Sequence, residues 1–141
     1  MHILICGGAG YIGSHMAKML AGYGHTVTVF DNLSTGHRQA VRWGNLVKKD
    51  LLQPDALDSL FSANRFDAVM HFSAKSLVGE SMTDPGLYYR NNVTGTINLL
   101  EAMVKHGVNR FIFSSSAATF GNPQAEKIDE THPQNPINPY G

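Results

Sequence analysis

Short apolar runs alternate along this chain with longer segments whose apolar residues recur at helical spacing. "HILIC" (2–6) reads as a short buried strand, stopped by "GGAG". "YIGSHMAKMLAGYG" (11–24) places Ile12, Met16, Met19 and Leu20 on one helical face, and Gly22 and Gly24 end it. "TVTVF" (26–30) is β-branched and strand-like, and "LVKK" (46–49) is a weaker strand followed by a helix over "DALDSLFSA". "DAVMHF" (67–72) is a fourth strand. From about Pro85 to His106 helical spacing runs through Leu99, Leu100, Met103 and Val104, although Gly95 interrupts it. "RFIFSS" (110–115) is a fifth strand, followed by a polar loop out to Pro139. In "NPINPYG" the prolines bias Asn135 and Asn138 toward extended backbone, and Pro139 suits the first turn of a helix.

Such alternation predicts an α/β fold: a Rossmann-like, doubly wound parallel sheet of about five strands, covered on both faces, with the first strand near the middle. At 141 residues the chain fits one domain, and 43% hydrophobic with 16% charged residues excludes disorder. Eleven basic and 11 acidic residues give zero net charge without a block of either sign, so neither a nucleic-acid footprint nor a polybasic membrane patch is expected. The single cysteine, Cys6, forms no internal disulfide and fits a reducing cytoplasm; its place in the first strand reads as a small buried hydrophobe. The N-terminus lacks a basic region, and no stretch approaches the ~20 apolar residues of a membrane span. These features predict a soluble, cytoplasmic protein with no metal site.

"ICGGAGYIGSH" carries two overlapping glycine patterns. Gly8, Gly10 and Gly13 fit G-x-G-x-x-G, while Gly7, Gly10 and Gly13 fit G-x-x-G-x-x-G. In either, one glycine turns the chain off the strand, one admits a pyrophosphate to the backbone, and one lets helix and strand pack closely. The free N–H groups at the helix start then favour an anion. Glycine-rich turns are common, so context decides: these follow a strand, open a helix, and precede a second strand ending at Asp31, 18 residues after Gly13. A carboxylate there accepts from both hydroxyls of a ribose and repels a 2′-phosphate, which predicts NAD rather than NADP. Arg38 is the one residue that argues for a 2′-phosphate, against its reading as a solvated surface arginine.

"GGAGYIGSH", "FDNLSTGH", "HFSAKSLVGESMTDPGLYYRNNVTGTINLLEAM", "FIFSSSAATFG" and "HPQNPINPYG" together resemble the extended short-chain dehydrogenases/reductases. Within that family the likeness is nearest to the enzymes that epimerise carbon 4 of UDP-hexoses. It runs unbroken from Met1 to Gly141 and covers the N-terminal part of such an enzyme. The resemblance implies that residues 1–141 are an incomplete NAD-binding Rossmann domain, without the C-terminal strands, the catalytic helix and the substrate domain. It implies that Gly7, Gly10 and Gly13, with Tyr11 and Ile12, cradle the pyrophosphate. Asp31, Asn32, Leu33, Ser34, Thr35 and Gly36 would hold the adenosine ribose, and Asp50 and Leu51 the adenine. Phe72, Ser73 and Ala74 would line the cofactor groove, and Asn91 would support it from below. Ser116 would be the catalytic hydroxyl and Tyr140 the catalytic phenol.

Several of these positions make sense independently, because ligands in open α/β sheets lie beyond the carboxyl ends of the strands. Others rest on the resemblance: a serine after a strand is commonly a loop former, Phe72 equally suits a core, and His71 reads as a satisfied core histidine. Two departures from the family pattern stand out. Some members carry lysine where this chain has Ser76, with Lys75 one place earlier, facing either cofactor or solvent. Phe120 stands where relatives often have tyrosine.

In the resembling family the tyrosine opens a Y-x-x-x-K motif, whose lysine lies one helical turn later and lowers the phenol pKa. The phenolate takes the proton of the sugar 4-hydroxyl, helped by the serine, while hydride leaves carbon 4 for NAD⁺ and later returns to the other face. The sequence stops before that lysine, and a free phenol is almost wholly protonated at neutral pH. The expectation is therefore a UDP-sugar epimerase fragment, inactive alone and prone to self-association through the edge of its fifth strand. The parent would interconvert UDP-galactose and UDP-glucose, as a homodimer through the long helix. The alternatives are epimerases of pentose or N-acetylated sugar nucleotides, a 4,6-dehydratase, and a non-catalytic dinucleotide-binding module. A dehydratase needs an acid–base pair beside the serine, and "SSSAATFG" holds no carboxylate.

Overall fold

A computed structural model describes all residues, Met1–Gly141. Five parallel strands stand in the order β3-β2-β1-β4-β5, with β1 (His2–Cys6) central between β2 (Thr26–Phe30) and β4 (Ala68–His71). β3 (Asn45–Val47) and β5 (Phe111–Phe113) form the edges. Register runs Ile3 to Val27 on one side and Ile3 to Ala68 on the other. The doubly wound parallel sheet expected from the alternation of elements is what forms.

β1, β2 and β4 are buried almost throughout because both sheet faces are covered, which is why their sequences are apolar runs rather than alternations. Successive side chains still point to opposite faces. Leu4, Cys6, Phe30 and Val69 join one core with Leu57, Leu60 and Phe61 of α2 (Pro54–Ala63) and Leu99 and Met103 of α5 (Gly95–Lys105). Ile3, Ile5, Val27, Val29 and Met70 join the other, against Ala17 of α1 (Tyr11–Gly22).

The face that α1 turns inward differs from the expected one. Ile12 and Met19 are exposed, while Gly13 and Ala17 are buried and Met16 and Leu20 pack at the margin. The start of the helix lies so close to the β1 exit that only small residues fit between them. On α5 only half of the expected stripe is inward: Leu99 and Met103 are buried, Leu100 and Val104 exposed.

β3 is shorter than expected and ends at Val47, where the carbonyl already takes the N–H of Asp31 and of Lys49. The long helix predicted from Pro85 to His106 is divided. A four-residue α4 (Pro85–Tyr88) is capped by Asp84, which accepts the Leu87 N–H at 3.0 Å, with Pro85 in the first turn. A π turn over Tyr89–Thr94 follows, and then α5. At that junction Gly95 meets Leu51: a Cβ there would lie 3.2 Å from the Leu51 Cβ. Before α4 lies a helix the sequence did not suggest, α3 (Val78–Thr83), too short for a periodic stripe. α5 closes with Gly107 at φ 70°, and Asp58 of α2 bonds both Lys105 and His106 at its end.

Beyond β5 the chain is irregular apart from a 3₁₀ turn over Ala117–Phe120. Residues 138–141 form no helical turn. Asn138 nevertheless accepts the Gly141 N–H at 2.9 Å, the bond of an N-cap side chain to the third helical residue, with Pro139 between. No helix is long and apolar enough to cross a membrane.

Leu99→Ala, at a position with 0% exposure, is expected to cost about 2–5 kcal/mol. Val104→Ala, five residues on at 81% exposure, should stay within about 0.5 kcal/mol. Urea midpoints of the two variants check the assignment of the inward face of α5.

Candidate functional site

The C-terminal ends of β1, β2, β3 and β4 open on one cavity of about 350 Å³. Its floor is the glycine loop. Gly7 turns the chain at φ 80°, and a Cβ on it would lie 2.6 Å from the carbonyl of Phe72. A Cβ on Gly13 would collide with the carbonyl oxygen of Gly7, so Gly13 is buried beneath the loop rather than lining the cavity. Gly10 is different in kind. A Cβ there meets only the Gly7 oxygen, at 3.4 Å, and would otherwise project into space that the cavity occupies. α1 starts at this point with no side-chain cap and no acid in its first turn, so its leading N–H groups have no side-chain partner.

One wall is built by Asp31. Its buried carboxylate accepts the Ala9 N–H at 2.9 Å and the Leu33 N–H at 2.8 Å, bolting the glycine loop to the segment leaving β2. Each oxygen keeps acceptor capacity on the cavity side. The bond to Asp31 holds Leu33 in the left-handed region at φ 61°. Asn32 accepts the Ser34 N–H and donates to Asp50 at 2.8 Å, while Asp50 accepts the Leu52 N–H at 2.9 Å. The loops after β2 and β3 are thus fixed to each other. Ser34, Thr35, Gly36 and Leu51 complete this side.

The opposite wall leaves β4. His71 accepts the Ser73 N–H on Nδ1 at 3.2 Å, which leaves its Nε2–H to donate to Thr96 at 3.0 Å; Thr96 donates onward to the Asn92 carbonyl. Burial pushes the His71 imidazole down to about 4, so it stays neutral in this relay. Asn91 donates to the Ser73 carbonyl at 3.0 Å, and Asn92 brackets Lys75, accepting its N–H and donating to its carbonyl, both at 2.9 Å. Phe72, Ser73, Ala74 and Lys75 face the cavity on this wall, above Asn91. Phe72 also packs against the core beneath. Cys6, behind the loop, has its thiol pushed well up by burial and by the charge of Asp31, and is unreactive.

Five other sequence candidates lie off the lining. Tyr11 and Ile12 are exposed side chains, and Leu33 serves the backbone turn. Ser116 accepts the Ala118 N–H at 3.1 Å and so caps its own 3₁₀ turn. Tyr140 stands beside that turn, since Gly141 packs on the Ala118 carbonyl, and its ring meets that of Tyr88 at 6.2 Å. The Tyr88 hydroxyl bonds Leu77 and Glu80, which line the cavity, so Tyr140 is connected to the lining through Tyr88, while Ser116 makes no contact with it through these bonds.

Asn92, Lys49, Glu80 and Tyr88 escaped the sequence reading. For Asn92 the one signal was its neighbour Asn91: a π turn holds more residues per turn than an α-helix, bringing successive side chains closer to one face. Chemically the cavity offers uncapped helix N–H groups for an anion, a buried carboxylate for a diol, and two lysines, Lys49 and Lys75, among its polar lining. A dinucleotide has that combination of groups, and the open space over Gly10 admits its pyrophosphate.

The chain belongs to the NAD dependent epimerase/dehydratase family, whose model matches residues 3–141. It is 48% identical over 140 residues to the UDP-glucose 4-epimerase of Rhizobium meliloti, covering 99% of this chain and 43% of that protein. A putative UDP-arabinose 4-epimerase of Arabidopsis thaliana is 47% identical over 150 residues, covering 99% of this chain and 34% of the relative. The UDP-glucose 4-epimerase of Brucella ovis, solved in complex with NAD, superposes with a TM-score of 0.96 at 52% identity, over 99% of this chain and 43% of that one. The chain thus spans less than half the length of these relatives.

The depressed His71 pKa makes stability depend on pH. An unfolded histidine titrates near 6.5, so the unfolded chain binds the extra proton first as pH falls. The contribution, about 3 kcal/mol, is complete above pH ~6.5 and lost as pH falls toward 4. Urea midpoints between about pH 7 and about pH 4 should fall less steeply for His71→Gln than for the unsubstituted chain.

Proposed function

We propose that this chain is the NAD-binding part of an enzyme that inverts carbon 4 of a UDP-hexose, interconverting UDP-galactose and UDP-glucose. The observation that carries the reading is a single cavity in which the uncapped start of α1 faces a buried carboxylate, Asp31. The names of relatives nearly half identical over the whole chain support the chemistry. When bound, the nicotinamide supplies a reversible hydride acceptor at carbon 4 and ends each cycle in its starting form.

The chain's own residues bind and orient. The N–H groups after Gly10 hold the pyrophosphate, Asp31 accepts from the adenosine ribose, and Asp50 and Leu51 flank the adenine. Phe72, Ser73, Ala74 and Lys75 bound the nicotinamide half of the groove, kept in place by Asn91 and Asn92. Tyr140 takes the proton of the sugar 4-hydroxyl and gives it back, and Ser116 steadies the hydroxyl during the transfer. A UDP-pentose is the second reading, favoured by the UDP-arabinose 4-epimerase relatives. "SSSAATFG" brings no carboxylate beside Ser116, which weighs against a dehydratase.

The 141 residues by themselves bind NAD weakly and do not turn over sugar. Their β5 edge, with Ile112 and Phe113 half exposed, promotes self-association, and the outward Ile97, Leu100 and Val104 of α5 suit a homodimer in the longer protein. A thiol buried in β1 suits a reducing cytoplasm. Light scattering is expected to give a mass above 15.4 kDa for the 141-residue polypeptide at high concentration; a monomer throughout overturns the association.

The functional test uses a polypeptide of the relatives' length, given NAD⁺ and UDP-galactose. UDP-glucose should form, Tyr140→Phe should lower kcat about 10²–10⁴-fold, and Ser116→Ala should lower it by a smaller factor. Gly10→Val should abolish NAD binding in calorimetry while leaving the urea midpoint in place. Absence of exchange with every UDP-hexose and UDP-pentose tried sinks the reading.

A further inference from the structure

A phenol outside the groove links the groove to Tyr140. The Tyr88 side chain is 1% exposed, at the end of α4. Its hydroxyl accepts the Leu77 N–H at 3.0 Å and lies 2.8 Å from both the Leu77 carbonyl and a Glu80 carboxylate oxygen, so its one proton has two acceptors. These bonds hold both ends of the first turn of α3, whose Leu77 and Glu80 line the cavity. The buried hydroxyl of Ser81, bonded to the Val78 carbonyl at 2.7 Å, packs the same turn from within. On its other side the Tyr88 ring meets the Tyr140 ring at 6.2 Å and 73°, an edge-to-face pair. Burial, and then the bond to Glu80, raise the Tyr88 phenol above the usual tyrosine range, so it remains a proton donor to these acceptors rather than an acid.

The geometry points to Tyr88 as a positioning residue that sets Tyr140 through its ring and the α3 wall of the groove through its hydroxyl. The two halves of the side chain have separable tasks. The ring fixes where the Tyr140 phenol stands relative to the groove, and displacement of a reacting group by an ångström is costly to rate. The hydroxyl fixes where Leu77 and Glu80 stand, which bears on binding. The kinetic part of this inference rests on the functional reading above; the ring contact does not.

Two variants divide the tasks. Tyr88→Phe keeps the ring and removes the hydroxyl, so kcat should hold and KM should rise a few-fold. Tyr88→Leu removes the ring, so kcat should fall about tenfold or more. The independent readout is NMR of the protein with ¹³C-labelled tyrosine: the Tyr140 ring shifts should survive Tyr88→Phe and move toward free-tyrosine values in Tyr88→Leu. Tyr140→Leu, at a partly exposed position where folding is little at risk, should in turn move the Tyr88 ring resonances. Equal kcat losses in Tyr88→Phe and Tyr88→Leu, or Tyr88 resonances unmoved by Tyr140→Leu, overturn the assignment. If the unsubstituted enzyme turns over no UDP-sugar, the functional reading falls, and the NMR comparison still decides whether Tyr88 holds Tyr140.

Discussion

Everything at the sheet's carboxyl rim depends on how closely three backbones approach at Gly7. The turn off β1 presses against the carbonyl of Phe72 leaving β4, and the first turn of α1 presses against the carbonyl of Gly7 itself. No side chain fits at Gly7 or Gly13, so β1, β4 and α1 meet as bare backbone. That contact fixes the start of α1 directly over the end of the central strand. It also explains why the inward face of α1 is Gly13 and Ala17 instead of the larger Ile12 and Met19.

Around this contact the loops are held by polar side chains bonded to backbone. Asp31 ties the glycine loop to the β2 exit, Asn32 and Asp50 join the β2 and β3 exits, and His71, Asn91 and Asn92 hold the β4 exit. Loops beyond a parallel sheet have no ladder to satisfy them, so their N–H and C=O groups need such partners. No buried side-chain nitrogen or oxygen is left without a partner. A neutral His71 suits this work, because a charged one in that buried place would carry a desolvation penalty.

The same arrangement relates the fold to the family. A cavity whose one end presents uncapped helix N–H groups, and whose flank presents a carboxylate, is shaped for a long anionic ligand with a diol. The residues next to it diverge in duty: Glu80 and Leu77 face the groove, while Tyr88 behind them reaches across to Tyr140. The site is thus bounded by the carboxyl ends of the strands on one side and by the first turn of α3, backed by Tyr88 of α4, on the other.

The sequence by itself determined the five strands, a parallel sheet with the first strand near its middle, and the glycine–aspartate spacing, because these rest on apolar runs, helical spacing between them, and a fixed interval from Gly13 to Asp31. The same patterns allowed Ile12 and Leu100 on inward faces, since periodicity names a stripe but not how near the neighbouring backbone comes. The motif likeness drew attention to Ser116 and Tyr140, and neither is part of the cavity lining. What only the tertiary structure decided were contacts between segments far apart or too short to carry a period. Helix α3 is six residues, and the π turn, the Asn92 clamp on Lys75 and the Tyr88 bonds to Leu77 and Glu80 join residues with no common repeat. Such contacts depend on how the chain closes on itself, which no local pattern encodes.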